Sequence, residues 1–324
     1  MSPKKSVAKE CMSIGVVSQP RVILAWKMKS LAIVGAGRVG RALGRRLRES
    51  GWNVTVVASR SEDSAKRAVR FIGGGRPTAG IPATLAGASA ILLTVPDDAI
   101  ALVAAELARN AGQDLRGKVV LHASGALDAS VLKLLRQRGA AVGSIHPLQS
   151  FNGVSVPPLV GKVFAIEGDE LAARIARRIA RSLGGVPVGI PAAMKPLYHA
   201  AGAFAAGLCL ALEEAGVQML MTAGLKRREA QRALLSLTRQ VLENYEKLGA
   251  QKAWTGPLSR GDYGVVATHE NALRQAPPEF LDAYRAVNRL AARVLSRHPA
   301  AMLKELDAIS GCVKLAAKAK GGYE

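Results

Sequence analysis

Two side chains that could carry chemistry lie just after short apolar runs, which are typical of buried strands. His146 follows residues 140–145 and precedes Pro147, which restrains the backbone at that point. Ser124 lies just after a second run, residues 118–121. Because ligands bind at the carboxyl ends of strands in parallel sheets, and imidazole exchanges protons near neutral pH, His146 is a candidate general acid or base. The alternative is a loop histidine that bonds only to the backbone.

A second candidate pair is Lys195 and His199, in a segment with helical periodicity, residues 194–215. Four residues make about one helical turn, so both side chains are expected on the same helix face. A lysine that reaches a desolvated cleft can protonate an alkoxide or hold a carboxylate, and the alternative is a solvated lysine at a helix start. The apolar neighbours of His199 favour a functional role for it.

Arg260 and Asp262 lie in the run WTGPLSRGD, residues 254–262. A guanidinium can clamp a substrate carboxylate, and Asp262 could fix Arg260 or cap the next helix, so both are predicted to bind substrate. The alternative is a structural turn with an internal ion pair. His122 and His269 are weaker candidates, which we expect to be structural histidines.

A glycine pattern predicts which elements position these groups. The apolar run of residues 31–34 leads into Gly-x-Gly-x-x-Gly and an amphipathic helix, and a second apolar run ends at residue 57. This order is typical of a dinucleotide-binding strand-turn-helix-strand unit, whose helix N-terminus faces the pyrophosphate. The predicted cofactor-binding residues of the first turn and of a later strand end are Gly35, Gly37, Arg38, Val39, Gly40, Thr94, Val95 and Pro96.

The end of the second strand indicates NADP (NADPH) as the dinucleotide. NAD sites usually place Asp or Glu there, whereas this chain has the donors Ser59, Arg60 and Ser61, followed by Lys66 and Arg67. Hydroxyl donors and a guanidinium suit a 2′-phosphate. The alternative is that Arg60 is a solvated loop arginine.

Composition fits a soluble enzyme with two cores, because 324 residues include 49% hydrophobic side chains. Cys11, Cys209 and Cys312 are far apart and lack metal-ligand spacing, so no disulfide framework and no metal site are expected. The predicted location is the cytoplasm. The formal charge of +21 raises the question of nucleic acid, but the basic residues intersperse with apolar positions. A general basic surface is favoured over specific nucleic-acid binding.

The most apolar segment, residues 197–212, is short, contains His199 and runs into two glutamates. It therefore predicts a buried helix, and no membrane partner is expected. Residues 1–27 are predicted to be a disordered extension, with a targeting peptide as the rival interpretation. Residues 301–324 are predicted to form a tail.

The predicted fold class is α/β, with a Rossmann-type parallel sheet domain followed by an all-helical C-terminal domain. Short apolar runs alternate with amphipathic segments up to about residue 190, which predicts crossover helices on a parallel sheet over residues 28–190. Helical periodicity then prevails over residues 191–300, a domain for substrate binding and dimerisation. Surplus apolar residues there, such as Leu208, Leu210 and Leu212, predict a homodimer.

In combination, five runs resemble one family. They are GSIHPLQSF (143–151), FAIEG (164–168), KPLYHAAGAFAAG (195–207), WTGPLSRGD (254–262) and LDAYRA (281–286). They resemble the NADP-dependent oxidoreductases in which a Rossmann-like domain precedes a domain of unknown function, number 2520. The resemblance spans roughly residues 28–296. It implies the wider group of 6-phosphogluconate, prephenate and ketopantoate dehydrogenases or reductases and pyrroline-5-carboxylate reductase.

The resemblance also implies residue roles. Prephenate dehydrogenases carry a catalytic His-Pro at the corresponding strand end and a partner serine on the preceding one, which His146 and Ser124 match. Related dehydrogenases place Lys-x-x-x-Asn where this chain has Lys195 and His199, and Gly207 stands where a further asparagine is expected. The implied catalytic set is therefore these four residues, with the detailed role of the lysine left open.

Together these features predict hydride transfer between NADPH and a small oxo or imino acid, of the ketopantoate or pyrroline-5-carboxylate type, at a site between the two domains. Two alternatives stay open. A non-catalytic NADP-binding sensor or scaffold would keep the fold without turnover. A basic nucleic-acid-binding protein would lose binding steeply with salt and would not depend on NADPH.

Overall fold

The computed structural model describes residues 29–82, 85, 87–110 and 115–320, with side chains described through residue 310. The predicted extension, residues 1–27, lies outside the described residues. The chain divides into two compact units, Met1–Ala206 and Gly207–Glu324. The first contains the sheet, and the second is helical.

The first unit is built on an eight-stranded sheet with the order β3-β2-β1-β4-β5-β6-β7-β8. Its strands are β1 (Ser30–Val34), β2 (Asn53–Ser59), β3 (Arg76–Ala79), β4 (Ala90–Leu93), β5 (Val119–His122), β6 (Ala141–Pro147), β7 (Val163–Gly168) and β8 (Val186–Gly189). All neighbouring pairs are parallel except β6 and β7, which are antiparallel. The carboxyl ends of β1, β4, β5 and β6 therefore meet at one edge.

Helices cover both faces of this sheet. They are α1 (Arg38–Glu49), α2 (Glu62–Ile72), α3 (Asp97–Asn110), α4 (Lys133–Gln137) and α5 (Glu170–Ser182). Alternation along β1 sends Leu31 and Ile33 into one core with α1, α2 and α5, and Ala32 and Val34 into a second core with α3. The predicted Rossmann-type α/β fold is confirmed.

Two details of the sheet differ from the prediction of a parallel sheet. β7 runs antiparallel to β6, and the connection between them, residues 148–162, contains no crossover helix. The segment after Gly73 forms the edge strand β3, where the sequence shows a run of glycines rather than an apolar run. The residues of β3 are exposed or half-buried, which explains why this strand has no run of apolar residues.

The later part of the chain is helical, as predicted. It contains α6 (Lys195–Ala203), α7 (Cys209–Thr222), α8 (Arg227–Leu248), α9 (Ala250–Ala253), α10 (Pro257–Arg260), α11 (Tyr263–Leu273), α12 (Pro278–Leu295) and α13 (Pro299–Lys320). The predicted boundary of the tail at residue 301 lies inside α13, which begins at Pro299. Met302 and Leu306 of α13 are buried in the core of the second unit, which explains why this segment is ordered as a helix.

A continuous helical run, Ala192–Thr222, joins α6 to α7 through a π-helical turn, Phe204–Leu208. With 31 residues and a mean hydropathy of 1.4, it is long and apolar enough to cross a membrane by length and composition alone. Only 6% of its most apolar window is buried within the chain. The prediction of a buried helix is therefore wrong for the single chain, in which Leu197, Leu208, Leu210 and Leu212 are each about half exposed or more.

Candidate functional site

The glycine turn between β1 and α1 leaves an open position for an anion. Gly35 has a φ of +103°, and its N–H donates to the carbonyl oxygen of Ala58 over 3.0 Å. A Cβ on Gly40 would lie 2.2 Å from the carbonyl oxygen of Gly35, so α1 packs directly on the turn. Gly37 has no neighbour within 4 Å of its Cβ position and begins α1 without a side-chain cap. The first N–H groups of α1 are therefore left for a ligand, as a pyrophosphate requires.

The end of β4 supports this turn. The Thr94 hydroxyl donates to the carbonyl oxygen of Gly35 over 2.5 Å. Val95 Cγ1 lies 2.7 Å from the Cβ position of Gly35, so a side chain there would clash. Arg38 is exposed at the start of α1, whereas Val39 packs against the core. Of these predicted residues, Arg38 alone offers a charged group.

At the end of β2, Arg60 is the cation that stays available. Ser61 caps α2, because its side chain accepts a hydrogen bond from the backbone N–H of Ser64 over 3.3 Å. Lys66 forms an ion pair with Glu62 at 2.7 Å. Arg60 is exposed and has no ion pair among the described residues. The donor set therefore fits the 2′-phosphate of NADP better than the bare ribose of NAD.

Three aromatic side chains gather where β6 ends. The Tyr198 hydroxyl is hydrogen bonded to Nδ1 of His146 over 3.0 Å, and their rings meet edge to face. The ring of His199 lies 5.8 Å from that of His146, centroid to centroid. Both imidazoles pack against Gly125. A Cβ atom added to this glycine would lie 2.6 Å from His199 Cδ2 and 2.9 Å from His146 Nε2. Only a glycine after Ser124 lets the two histidines approach this closely.

Burial keeps the hydrogen-bonded pair uncharged at neutral pH. The pKa of His146 is lowered to about 4, first by burial and then by the positive fields of His199 and Lys195. Burial raises the pKa of Tyr198 to about 12. Both groups can therefore donate or accept hydrogen bonds as neutral species.

Ser124 is buried and organises the turn after β5. Its hydroxyl donates to Asp97 Oδ2 over 2.7 Å and accepts from the backbone N–H groups of Ala126 and Leu127. The described contacts include no hydrogen bond between Ser124 and His146, although the two residues lie at the same sheet edge. Its hydrogen-bonding capacity is used by the protein itself.

His122 has the structural role that its sequence context indicated. It is fully buried, Nε2 donates to the carbonyl oxygen of Asp128 over 3.1 Å, and Nδ1 accepts from the backbone N–H of Ser124. These partners fix a neutral tautomer. Burial, assisted by the nearby ammonium of Lys195, lowers the pKa of His122 to about 4.

Lys195 lies at the centre of a buried polar network. Its side chain is 0% exposed, and Nζ donates to the carbonyl oxygen of Ser124 (3.1 Å) and to Ser144 Oγ (2.9 Å). Ser144 in turn donates to Glu167, which also accepts from the backbone N–H of Ala129. Burial lowers the pKa of Lys195, and the nearby carboxylates, Glu167 first, oppose this. The lysine thus ties the start of α6 to the end of β5 and to the middle of β6.

The predicted pair Arg260 and Asp262 belongs to the second unit. The two side chains form an ion pair at 2.8 Å and are 62% and 41% exposed. In the same unit His269 is hydrogen bonded to the hydroxyl of Tyr284 over 2.8 Å. The internal ion pair that the sequence left open as an alternative is therefore present.

Sequence reasoning missed Tyr198, Asp97 and the Ser144–Glu167 pair. Tyr198 could have been found, since it is three residues after Lys195 and shares its helix face. Asp97 follows the end of β4 by four residues, at the start of α3, whereas Ser124 follows the end of β5 by two. The Ser144–Glu167 pair arises only from the antiparallel register of β6 and β7, in which the two residues are directly opposite.

Family models match the two parts of the chain. A Rossmann-like domain matches residues 5–147, and the domain of unknown function DUF2520 matches residues 162–291. This chain is therefore similar to a Rossmann-like domain followed by a DUF2520 domain. The resemblance drawn from the sequence motifs is confirmed at that level, and the DUF2520 domain begins within the sheet, at β7, rather than at the first helix after it.

Solved structures of similar fold cover most of this chain. Protein TM1727 from Thermotoga maritima is 28% identical, with a TM-score of 0.63, over 82% of this chain and 97% of that one. A reductive aminase from Aspergillus terreus, in complex with NADPH and ethyl-5-oxohexanoate, is 19% identical with a TM-score of 0.55, over 89% and 94%. A pyrroline carboxylate reductase from Plasmodium falciparum, with NADP bound, is 15% identical with a TM-score of 0.52, over 80% and 97%. None of the curated proteins matches this sequence.

Proposed function

We propose that this DUF2520 chain is an NADP-dependent oxidoreductase that transfers a hydride between NADPH and a small oxo or imino acid. The substrate is of the ketopantoate or pyrroline-5-carboxylate type. The main support for this proposal is the position of two features at the same edge of the sheet. The glycine turn after β1 leaves room for an anion, and the His146–Tyr198–His199 group lies at the end of β6. The NADP and NADPH bound in two of the structures named above support the same cofactor here.

The residues divide the work between binding and reaction. The first N–H groups of α1 hold the pyrophosphate, and Arg60 binds the 2′-phosphate. Bound NADPH supplies the hydride. His146 and the exposed His199 lie beside the reacting group in this proposal, and the hydrogen-bonded pair of His146 and Tyr198 stabilises the atom that gains negative charge. Arg260, oriented by Asp262, is the proposed partner of the substrate carboxylate.

Ser124 and Lys195 act as positioning residues in this proposal. Both are buried, and their polar atoms are bonded to the protein. Ser124 fixes the turn that carries Gly125, against which His146 and His199 pack. Lys195 anchors the helix that carries His199. Their predicted importance for catalysis is therefore indirect, through the placement of the two imidazoles.

A homodimer is proposed as the working form. Apolar side chains that are at least two-fifths exposed lie along α7, α8 and α12, namely Leu210, Leu212, Met221, Leu235, Leu237, Val241, Leu242, Leu248, Val287, Leu290 and Val294. Such a surface exceeds what a soluble monomer usually presents, and a second copy would cover it. A cytosolic location without a membrane partner is proposed together with the dimer, because a second copy that covers these side chains would leave them no bilayer to meet.

The test is NADPH oxidation by the purified full chain with a panel of small 2-oxo acids and cyclic imino acids. We expect turnover of at least one compound, with kcat reduced about 100-fold in His146→Asn because general acid–base catalysis contributes at least that much. NADPH affinity should stay unchanged in this variant. His298→Asn, at an exposed histidine of the second unit, is the matched control. NADPH binding without turnover of any compound would instead favour the sensor or scaffold alternative.

A further inference from the structure

Among the described residues, the imidazole of His146 is hydrogen bonded to the side chain of Tyr198. The phenol oxygen is 3.0 Å from Nδ1, and the rings meet at an interplanar angle of 89°, with centroids 5.6 Å apart. Tyr198 is half-buried, as is His146, so neither is sealed from a ligand. The tyrosine follows Lys195 by three residues, and the anchoring of that lysine holds the tyrosine in place.

Resting on the proposed function, we propose that Tyr198 donates the proton of the reaction and that the group reduced is a carbonyl. The carbonyl carbon forms a C–H bond with the hydride that bound NADPH supplies, which leaves NADP+, and the C=O π bond becomes an alkoxide. The alkoxide oxygen takes the proton from the Tyr198 hydroxyl. The phenolate oxygen takes the proton on His146 Nδ1, while Nε2 takes one from solvent, so that both groups end neutral and an alcohol leaves.

The surroundings of the pair favour a carbonyl over an iminium ion. An alkoxide needs a proton donor, which a neutral phenol backed by a neutral imidazole provides. An iminium ion already carries its proton and a positive charge, so it is best stabilised by a carboxylate. The carboxylate of Asp97, which acts on the pKa of His146, is engaged by the Ser124 hydroxyl, and the ammonium of Lys195 adds a positive field. The low pKa of His146 and the high pKa of Tyr198 agree with this neutral pair.

Tyr198→Phe tests the proposal with a closely matched control. The second unit contains the same kind of bond, His269 to the Tyr284 hydroxyl, at 2.8 Å with ring centroids 5.9 Å apart. Tyr284→Phe therefore removes a Tyr–His bond that has no role in the proposed reaction. The probes are NADPH with pyruvate and ketopantoate as carbonyl compounds, and NADPH with pyrroline-5-carboxylate as a C=N compound.

We expect the full chain to reduce at least one carbonyl probe, with kcat about 100-fold lower in Tyr198→Phe and unchanged in Tyr284→Phe. NADPH affinity should agree within about twofold in all three proteins, since the phenol does not bind the cofactor in this account. Nitrogen-15 NMR of the histidine rings, without cofactor, gives a second readout. The Nδ1 resonance of His146 should shift in Tyr198→Phe only, and that of His269 in Tyr284→Phe only.

Each other outcome overturns a defined part of the account. If kcat for carbonyl reduction in Tyr198→Phe stays within about threefold of the native value, the tyrosine is not the proton donor, and the proposed function still stands. Reduction of pyrroline-5-carboxylate alone would overturn the carbonyl assignment. If the Nδ1 resonance of His146 does not shift in Tyr198→Phe, the hydrogen bond between the two side chains is absent in solution, and the proposal fails. NADPH binding with no reduction of any probe would overturn the proposed function.

Discussion

At the scale of single residues, burial separates groups that can meet a substrate from groups that hold the site together. Lys195 and His199 were predicted to share a face, and α6 does place them one turn apart. Their surroundings differ, because Lys195 is fully buried whereas His199 is exposed. A buried ammonium with two protein acceptors is costly to disturb, so its main effect is on geometry. Sequence spacing gives the direction of a side chain but not the depth at which it is buried.

The buried histidine His122 predicts a loss of stability in mild acid. Its pKa falls from the usual 6.5 to about 4 in the folded chain, so below pH 6.5 the unfolded chain binds the proton first. The free energy of unfolding should therefore fall as the pH drops from 6.5 towards 4. The drop attributable to this residue is about 3 kcal/mol, at 1.36 kcal/mol for each pKa unit.

Urea unfolding at pH 7.5, 6 and 5 measures this effect. His122→Asn should be less stable at pH 7.5 and should show a shallower decline with acid than the native chain. His298→Asn, at an exposed histidine, should keep the native slope. An equal slope in His122→Asn and the native chain would show that other groups, such as His146 with its similarly lowered pKa, cause the acid response.

At the scale of elements, adding a methyl group to the glycine turn between β1 and α1 should have different effects at its two positions. At Gly40 it should lower stability, and at Gly37 it should lower NADPH affinity. In Gly40→Ala the new Cβ meets backbone and hydroxyl atoms at 2.2 and 2.5 Å, so α1 must move away from the turn. Overpacking of this kind should cost about 1–3 kcal/mol of unfolding free energy. In Gly37→Ala the methyl group enters open space, and stability should stay within about 0.5 kcal/mol.

NADPH affinity completes this comparison. Gly37→Ala should weaken NADPH binding at least tenfold, about 1.4 kcal/mol, because the methyl group occupies the approach of the pyrophosphate. Gly40→Ala should lose stability and affinity together. Calorimetric titration and urea unfolding of both variants give the two quantities. Native NADPH affinity in Gly37→Ala would place the cofactor away from this turn.

The sequence predicts the central strands well, since short apolar runs mark β1, β2, β4, β5 and β6. Those strands are buried on both faces, and that burial produces the continuous runs. The exposed edge strand β3 carries no such run and was missed. The antiparallel register of β6 and β7 was missed as well, because a sequence does not show strand direction. The Ser144–Glu167 contact that receives Lys195 depends on that register, so the burial of this lysine could not be foreseen.

At the scale of the whole molecule, part of the basic excess has a structural use. Arg41 donates to the carbonyl oxygen of Gly153, and Arg46 donates to those of Val156 and Pro157. These α1 arginines hold the connection between β6 and β7 instead of forming a uniform basic face. This agrees with the interpretation of the charge as a distributed surface property, and specific nucleic-acid binding stays unfavoured.

The exposed apolar side chains of the second unit predict self-association. We expect light scattering of the full chain to give the mass of two copies at micromolar concentration. Leu237→Glu on α8, 61% exposed in the single chain, should shift the mass towards one copy, since a charge in an apolar interface is uncompensated. Leu102→Glu on α3, 73% exposed in the first unit, is the control and should leave the mass unchanged. A native mass of one copy would refute the dimer.

The central claim is that this chain binds NADPH through the β1–α1 turn and the end of β2, and calorimetric titration with NADPH and NADH tests it most directly. We expect NADPH to bind at least tenfold more tightly than NADH. Arg60→Ala should weaken NADPH binding about tenfold, since a charge-assisted hydrogen bond contributes about 1.5–3 kcal/mol. The affinity for NADH should stay unchanged. Arg70→Ala, an exposed arginine later on α2, should change neither. Equal affinity for the two nucleotides, or no binding of either, would contradict the account.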